Sequence, residues 1–447
     1  MAARWRRGRR PTGRDAGDAA ARVVVVGAGF GGLATMKRLA RAGTQVTLVD
    51  GNIYSTFQPL LYQVATAGLS GSDVAYPARS VTHRYHARFR RGSMAEIDTS
   101  SRHVTLVDGG KLGYDYLIVA TGVAAAYHGI TGAAEHTLGL YTRRDALALR
   151  DLIMSSLERL SIDGPRRDVA LTVIGGGATG VELAGTLAEL RNISLAAAFP
   201  EIDPACVHIR LIEQVPSLLT PFQPALRDYA RDQLVARGVD LRLGTAISEV
   251  TPTGVLLADG EALDSDITVW AAGVTAADAV GRWGLPQGRG GRIRIGPDLR
   301  VVGHDRIFAI GDVALIEDQP LPQLAQPALQ MGRHAAEQIR RLVAGEPTEP
   351  FSYHDKGIMA TIGSRSAVVQ LARPSVRVRG TLAWLAWLAL HLVTLLGNRN
   401  RISALVNLSW RYLTWQRGGG LIVGDDPPEH VADLRSSVRD HRGLSSE

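Results

Sequence analysis

The first regular pattern along the chain is a short β-branched apolar run, Val23 to Val26, that ends on a glycine. A run of that length without alternation suits a buried strand of a parallel sheet. Gly27, Gly29 and Gly32 follow in GxGxxG spacing, Leu33 to Ala42 reads as a helix, and "QVTLVD" reads as a second strand ending on Asp50. The same order recurs later. Val169 to Ile174 is a strand, Gly175, Gly177 and Gly180 repeat the spacing, a helix follows, and "CVHIRLIEQ" is a strand with Glu213 near its end. The interval before Glu213 is stretched by "RNISLAAAFPEIDPA". Near the C-terminus the pattern changes: "TLAWLAWLALHLVTLL" is apolar nearly throughout. In "RISALVNLSWRYLTWQR", Leu405, Leu408, Tyr412 and Trp415 fall on one helical face.

Strand, glycine loop, helix, strand and terminal acid together make a dinucleotide-binding unit. The first glycine permits the tight turn, the second lets backbone approach a pyrophosphate, and the third allows close packing of helix on strand. The helix N-terminus offers free N–H donors and a positive dipole to phosphate, and the terminal acid accepts from a ribose hydroxyl. An acid at Glu213 favours NADH, since a 2′-phosphate would be repelled there. Two such units imply two dinucleotides. Two nicotinamides would have nothing to pass electrons onward, whereas one flavin and one nicotinamide form a redox pair. "YDYLIVATG", "DITVWAAGV" and "RIFAIGDVA" are further strands ending in small-residue turns, and they point to flavin in the first unit.

Composition narrows the class. The chain has 447 residues, enough for two or three domains, and its 45% hydrophobic and 21% charged residues are ordinary for a folded protein. Cys206 is the single cysteine, which excludes a disulfide framework and a CxxC redox pair, and it lies in the insertion of the second unit, far from any flavin motif. The net charge is +7, much of it in "MAARWRRGRRPTGR", a basic arm without the apolar stretch of a secretory signal. The chain carries no Walker motif, metal-ligand spacing or helix-turn-helix pattern, so the basic balance speaks for anionic lipid rather than nucleic acid.

At this point the sequence resembles the two-dinucleotide-binding-domain flavoproteins. In that family the ATG turn and a late GD motif close the FAD site, which implicates Thr121, Gly122, Gly311 and Asp312 here. It implies an FAD fold in two separated segments with the NADH fold inserted between them. "YSTFQPLLYQVATAGL", "PLPQLAQPALQMGRHAA" and "FSYHDKGIMATIGSRSAVV" narrow the resemblance to type II NADH dehydrogenases, which pass electrons from NADH through FAD to a membrane quinone without pumping protons. The resemblance runs from about Arg22 to Arg417. It adds Phe30, Gly31, Gln58, Gly273 and Ala328 to the cofactor-binding set and places Glu182 between nicotinamide and flavin. It also lays Gln326 and Gln330 along the quinone pocket. Met331 stands where relatives often carry a further glutamine. Pro327 disfavours helix at Gln326 and suits a helix start.

A quinone with an isoprenoid tail requires its reductase to reach the bilayer. The sixteen residues of Thr381 to Leu396 would make a helix of roughly 24 Å, short of a hydrocarbon core about 30 Å thick. That length and His391 favour a helix lying in one leaflet, with Arg399, Arg401, Arg411 and Arg417 at the surface. The competing arrangement buries these helices against each other or in a homodimer. The expected fold class is therefore α/β: two Rossmann-like domains plus a C-terminal membrane-associating helical region. The layout is a disordered arm (1–21), an FAD domain (22–130 and 286–345), an NADH domain (131–285), a C-terminal strand and amphipathic-helix region (346–420) and a disordered tail (421–447). Localisation is expected at the cytoplasmic face of the cell membrane. Two other classes fit less of the sequence: a soluble NADH-dependent reductase of ferredoxin or rubredoxin, and a membrane-bound flavoprotein that senses NADH.

Overall fold

The structure is a computed structural model, and it describes residues 21–163, 168–372 and 376–413. The basic arm up to residue 20, the tail, Trp415 and Arg417 lie outside the described residues.

Two five-stranded parallel sheets organise the chain. The first runs Ile307–Ala309, Tyr116–Val119, Arg22–Val26, Gln45–Asp50, Arg88–Arg91. The second runs Leu138–Gly139, Ile267–Trp270, Val169–Ile174, Val207–Glu213, Asp240–Leu243. Each central strand is buried and rich in Val, Leu and Ile, which pack well on a pleated surface covered on both faces. Each sheet is interrupted by a three-stranded antiparallel ribbon, 94–113 before Tyr116–Val119 in the first and 247–264 before Ile267–Trp270 in the second. The two crossings between the halves pair with each other, Ala124–Ala125 against Val274–Thr275. The late strand Ile307–Ala309 returns to the edge of the first sheet, so that sheet is closed by chain from beyond the second.

The first glycine helix starts at Phe30 and runs to Arg41, three residues earlier than its apolar spacing implies. The long helix Ala325–Val343 lies against it. Thr35 Oγ1 donates to the Gly332 carbonyl at 2.9 Å, and a Cβ at Gly332 would sit 2.4 Å from the Gly31 oxygen. That long helix includes Gln326, contrary to the expected break. Pro327 occupies its first turn, where the missing N–H is one the helix does not use.

The C-terminal region begins with a hairpin, Ile358–Gly363 with Ser366–Gln370, seated on the second glycine helix Ala178–Glu189. A Cβ at Gly185 would lie 2.1 Å from the Ile362 oxygen. Helices Thr381–Thr394 and Asn398–Leu413 follow. Trp387, Leu395, Ala404 and Leu408 join the same core cluster as the second domain. The face inferred from spacing is therefore divided: Leu408 is buried and Tyr412 packs inward, while Leu405 is exposed. The helix Asn398–Leu413 turns a polar stripe toward the protein. Asn400 donates to Ala75 O at 2.8 Å, while Ser403 and Asn407 donate to the Asp73 carboxylate at 2.6 and 2.9 Å. Ile402, Val406 and Trp410 remain exposed, as do Leu382, Leu385, Leu390 and Val393 of the preceding helix. Among the described residues no helix is long and apolar enough to cross a membrane.

Candidate active site

The two glycine turns are built alike, and each glycine has its own reason. Gly27 has φ +111°, and a Cβ there would lie 2.2 Å from the Ala120 oxygen; Gly175 has φ +112° and would meet Ala271 at 2.6 Å. At Gly32 and Gly180 a Cβ would sit 1.9 Å from the oxygens of Gly27 and Gly175. Protein packing fixes those four. Gly29 and Gly177 differ, because a Cβ at either meets nothing within 4 Å. Both adopt extended backbone that any residue accepts, φ −78° at Gly29 and −72° at Gly177. Nothing within the chain asks for glycine there, so the bare backbone at each helix N-terminus fits the close approach of a pyrophosphate.

The strand-terminal acids are also alike. Asp50 accepts from the N–H groups of Ala28 and Asn52, both at 2.7 Å, and Glu213 accepts from Gly176 and from Val215 at 2.9 Å. Each acid closes its own glycine turn despite the stretched interval before Glu213. Burial pushes the Asp50 carboxyl up, and those hydrogen bonds oppose it.

Around the first turn the structure gathers Gly31, Gly311 and Ala328. A Cβ at Gly31 would lie 3.2 Å from the Ala328 oxygen, and one at Gly311, φ +70°, would lie 3.2 Å from the Ala328 Cβ. Next to Gly311, burial raises the Asp312 carboxyl to about 6, against the pull of the Arg292 guanidinium. Thr121 is exposed beside Gly122, φ +69°. The Gln58 Oε1 atom is buried with no hydrogen-bond partner, an acceptor that a ligand donor would satisfy. Gly273 has φ +116° and packs on His128, whose Nε2 bonds the Ala272 oxygen at 2.8 Å, so its conformation also serves the joint between domains. These residues fit FAD in the first unit and NADH in the second.

A corridor of aromatic rings leads away from the first turn. Phe30 meets Phe57 edge-on at 5.8 Å, Phe57 meets His391 at 6.2 Å, and His391 stacks on Trp387 at 4.0 Å. Tyr62 lies 6.0 Å from Trp387, and its hydroxyl is buried without a partner. His391 thus faces the protein, with burial lowering its imidazole to about 4. Glu182 borders this corridor. Its Oε1 accepts from Thr361 N–H at 3.3 Å, and burial raises the carboxyl to about 8, opposed by hydrogen bonds from Thr361 and Trp387. Gln326 is half-buried on the first turn of its helix. The Gln330 amide is engaged differently: it donates to His354 O at 2.9 Å and accepts from His354 N at 3.0 Å.

Comparisons with known proteins agree with this geometry. The family Pyridine nucleotide-disulphide oxidoreductase matches residues 21–332. The chain is similar to the type II NADH:quinone oxidoreductase Ndh of Mycobacterium tuberculosis, 36% identical over 416 residues, which is 89% of each protein. The chain belongs to the type II NADH:quinone oxidoreductases. The member from Staphylococcus aureus is 32% identical over 78% of this chain and 89% of its own length. The fold matches that of NDH2 from Plasmodium falciparum in complex with NADH, with a TM-score of 0.81 at 18% identity over 90% of this chain and 100% of that one. Within this type II oxidoreductase, sequence reasoning missed His391, Trp387, Tyr62, Thr361 and Arg292 as site neighbours. All but Tyr62 arrive from elements remote in sequence, and Trp387 carried a signal only of apolarity. Cys206 ends a short 3₁₀ turn, and burial followed by nearby Asp168 and Asp203 raises its thiol, the reverse of an activated nucleophile.

Proposed function

We infer that the chain is an FAD-dependent NADH:quinone oxidoreductase of the type II class. The observation that carries the reading is the corridor joining the first glycine loop, Glu182 and the C-terminal helix. Gly29, Asp50, Gln58, Gly122, Gly311 and Asp312 would hold FAD, and Gly177 and Glu213 would hold NADH. When bound, the flavin supplies the two-electron relay from nicotinamide to quinone. The side chains supply position and protons. Quinol formation takes up one more proton than NADH delivers, and Glu182, neutral at pH 7, holds one beside the route. We assign Gln326 to the quinone carbonyl through its amide. Gln330 secures the 351–357 segment through His354.

The finer placement is our proposal as well. The exposed apolar residues of the two C-terminal helices, with Arg399 and Arg401 at their junction, suit a helix pair lying in the surface of a cytoplasmic leaflet. The inward polar stripe supports this, because a helix facing water would turn those residues the other way. A soluble reductase of a carrier protein would not need that face, and a sensor would not need a buried Glu182 beside the corridor. The test is an absorbance spectrum of the purified protein. Flavin absorption should bleach on adding NADH anaerobically and return on adding a soluble quinone. A protein that binds no flavin, or that stays bleached with quinone, overturns the reading.

A further inference from the structure

A second cavity lies at the far end of the second glycine helix. The helix Ala178–Glu189 has its N-terminus at the dinucleotide turn, and twelve residues carry its other end about 18 Å away. There it passes into a π turn, Leu190–Ser194, a distortion found often at functional positions. Against it sit the tip of the hairpin and the last turns of helix Asn398–Leu413. Between them is a cavity of about 230 Å³.

Three arginines line it, Arg237, Arg365 and Arg411, against one carboxylate, Glu189. Each comes from a different element. Arg237 is held by Gln233 Oε1 at 2.9 Å and by the Ser364 carbonyl at 3.3 Å, and Arg411 donates to Gln63 Oε1 at 2.7 Å. Glu189 is buried, accepts from Ser364 N–H, and is offset by the charges of Arg411 and Arg237. Arg365 sits at φ +56°, a left-handed conformation that favours glycine or asparagine. Three guanidinium groups and one carboxylate line this cavity, a cationic excess that an anion would balance. Ile193 lines the cavity and is exposed, and Trp410, which precedes Arg411 in the chain, is 62% exposed on the face assigned to the membrane.

We propose that this cavity binds the phosphate of an anionic lipid headgroup, clamping the C-terminal helix to the nicotinamide domain at the membrane surface. Phosphate oxygens match guanidinium donors in geometry and charge. A free phosphate shares that chemistry, but exposed Ile193 at the cavity and Trp410 on the same helix as Arg411 favour the lipid. The proposal rests on the membrane face assigned above, and neutral vesicles separate the two.

The experiment uses the full-length holoenzyme and vesicles of phosphatidylcholine alone or with phosphatidylglycerol. Wild type should prefer the vesicles containing phosphatidylglycerol. Arg365→Gly relieves the strained backbone while removing the charge. It should lower that preference well beyond the roughly fivefold effect of one basic residue near an anionic surface, and leave binding to neutral vesicles and reduction of a soluble quinone unchanged. Arg399→Gln removes an equal charge outside the cavity and should lower the preference less. Equal losses for the two variants would mean diffuse surface charge and overturn the site. Loss of neutral-vesicle binding by wild type would reject the membrane face instead. Inorganic phosphate that raises the melting temperature of wild type but not of Arg365→Gly would support the cavity with a free anion as its ligand.

Discussion

Single residues give the sharpest tests. Gly29 and Gly177 face open space in conformations any residue tolerates. Gly29→Val should therefore fold yet lose FAD on purification. Gly177→Val should keep the flavin and raise KM for NADH by about tenfold or more, a loss of about 1.4 kcal/mol. Finding the flavin lost in both would undo the assignment of one ligand to each turn. Glu182 bears on pH. Its carboxyl titrates near 8 when folded and near 4.5 when unfolded, so its burial is tolerated fully below the lower value. Stability falls as pH rises between the two, by on the order of 2–3 kcal/mol at neutral pH. Glu182→Gln should flatten thermal stability across that window, and an unchanged slope would show that the carboxyl is not desolvated. Gln326→Ala should slow quinone reduction more than flavin reduction by NADH in stopped flow; equal effects would reject the carbonyl contact. The glycines and acids were legible in the sequence because their spacing is local. His391 was not, since its inward stacking on Trp387 depends on how two elements meet.

Elements show how one stretch serves two surfaces. The helix Thr381–Thr394 is apolar enough to bury Ala383, Trp384 and Trp387 and still present Leu382 and Val393 outward. Spacing alone cannot assign the two faces of a helix that is apolar all round. In Asn398–Leu413 the assignment follows from Asp73, a buried carboxylate that draws Ser403 and Asn407 inward. Leu385→Glu with Val406→Glu should release the enzyme from vesicles by well over tenfold, since each large apolar side chain inserted contributes about 1.5–3 kcal/mol. Flavin content and melting temperature should hold. Vesicle binding that survives both charges would place the contact elsewhere.

The whole molecule joins the proposed membrane face to the chemistry. Trp387, Leu395, Ala404 and Leu408 complete the core of the second domain, and His391 completes the corridor. Ending the chain after residue 380 should therefore lower the melting temperature and impair soluble-quinone reduction, as well as membrane binding. A truncated enzyme that is merely released, with full activity on soluble quinone, would show the helices to be an independent anchor. The sequence by itself determined the two dinucleotide units, their order and the redox pairing, because each unit's strands, glycine turn and terminal acid lie within about forty positions of each other. Only the tertiary structure decided which face of each C-terminal helix points inward, that Glu182 is buried against Thr361 and Trp387, and that three arginines share a cavity. Those outcomes depend on the burial and partnering of side chains far apart in the chain, and desolvation has no local signature.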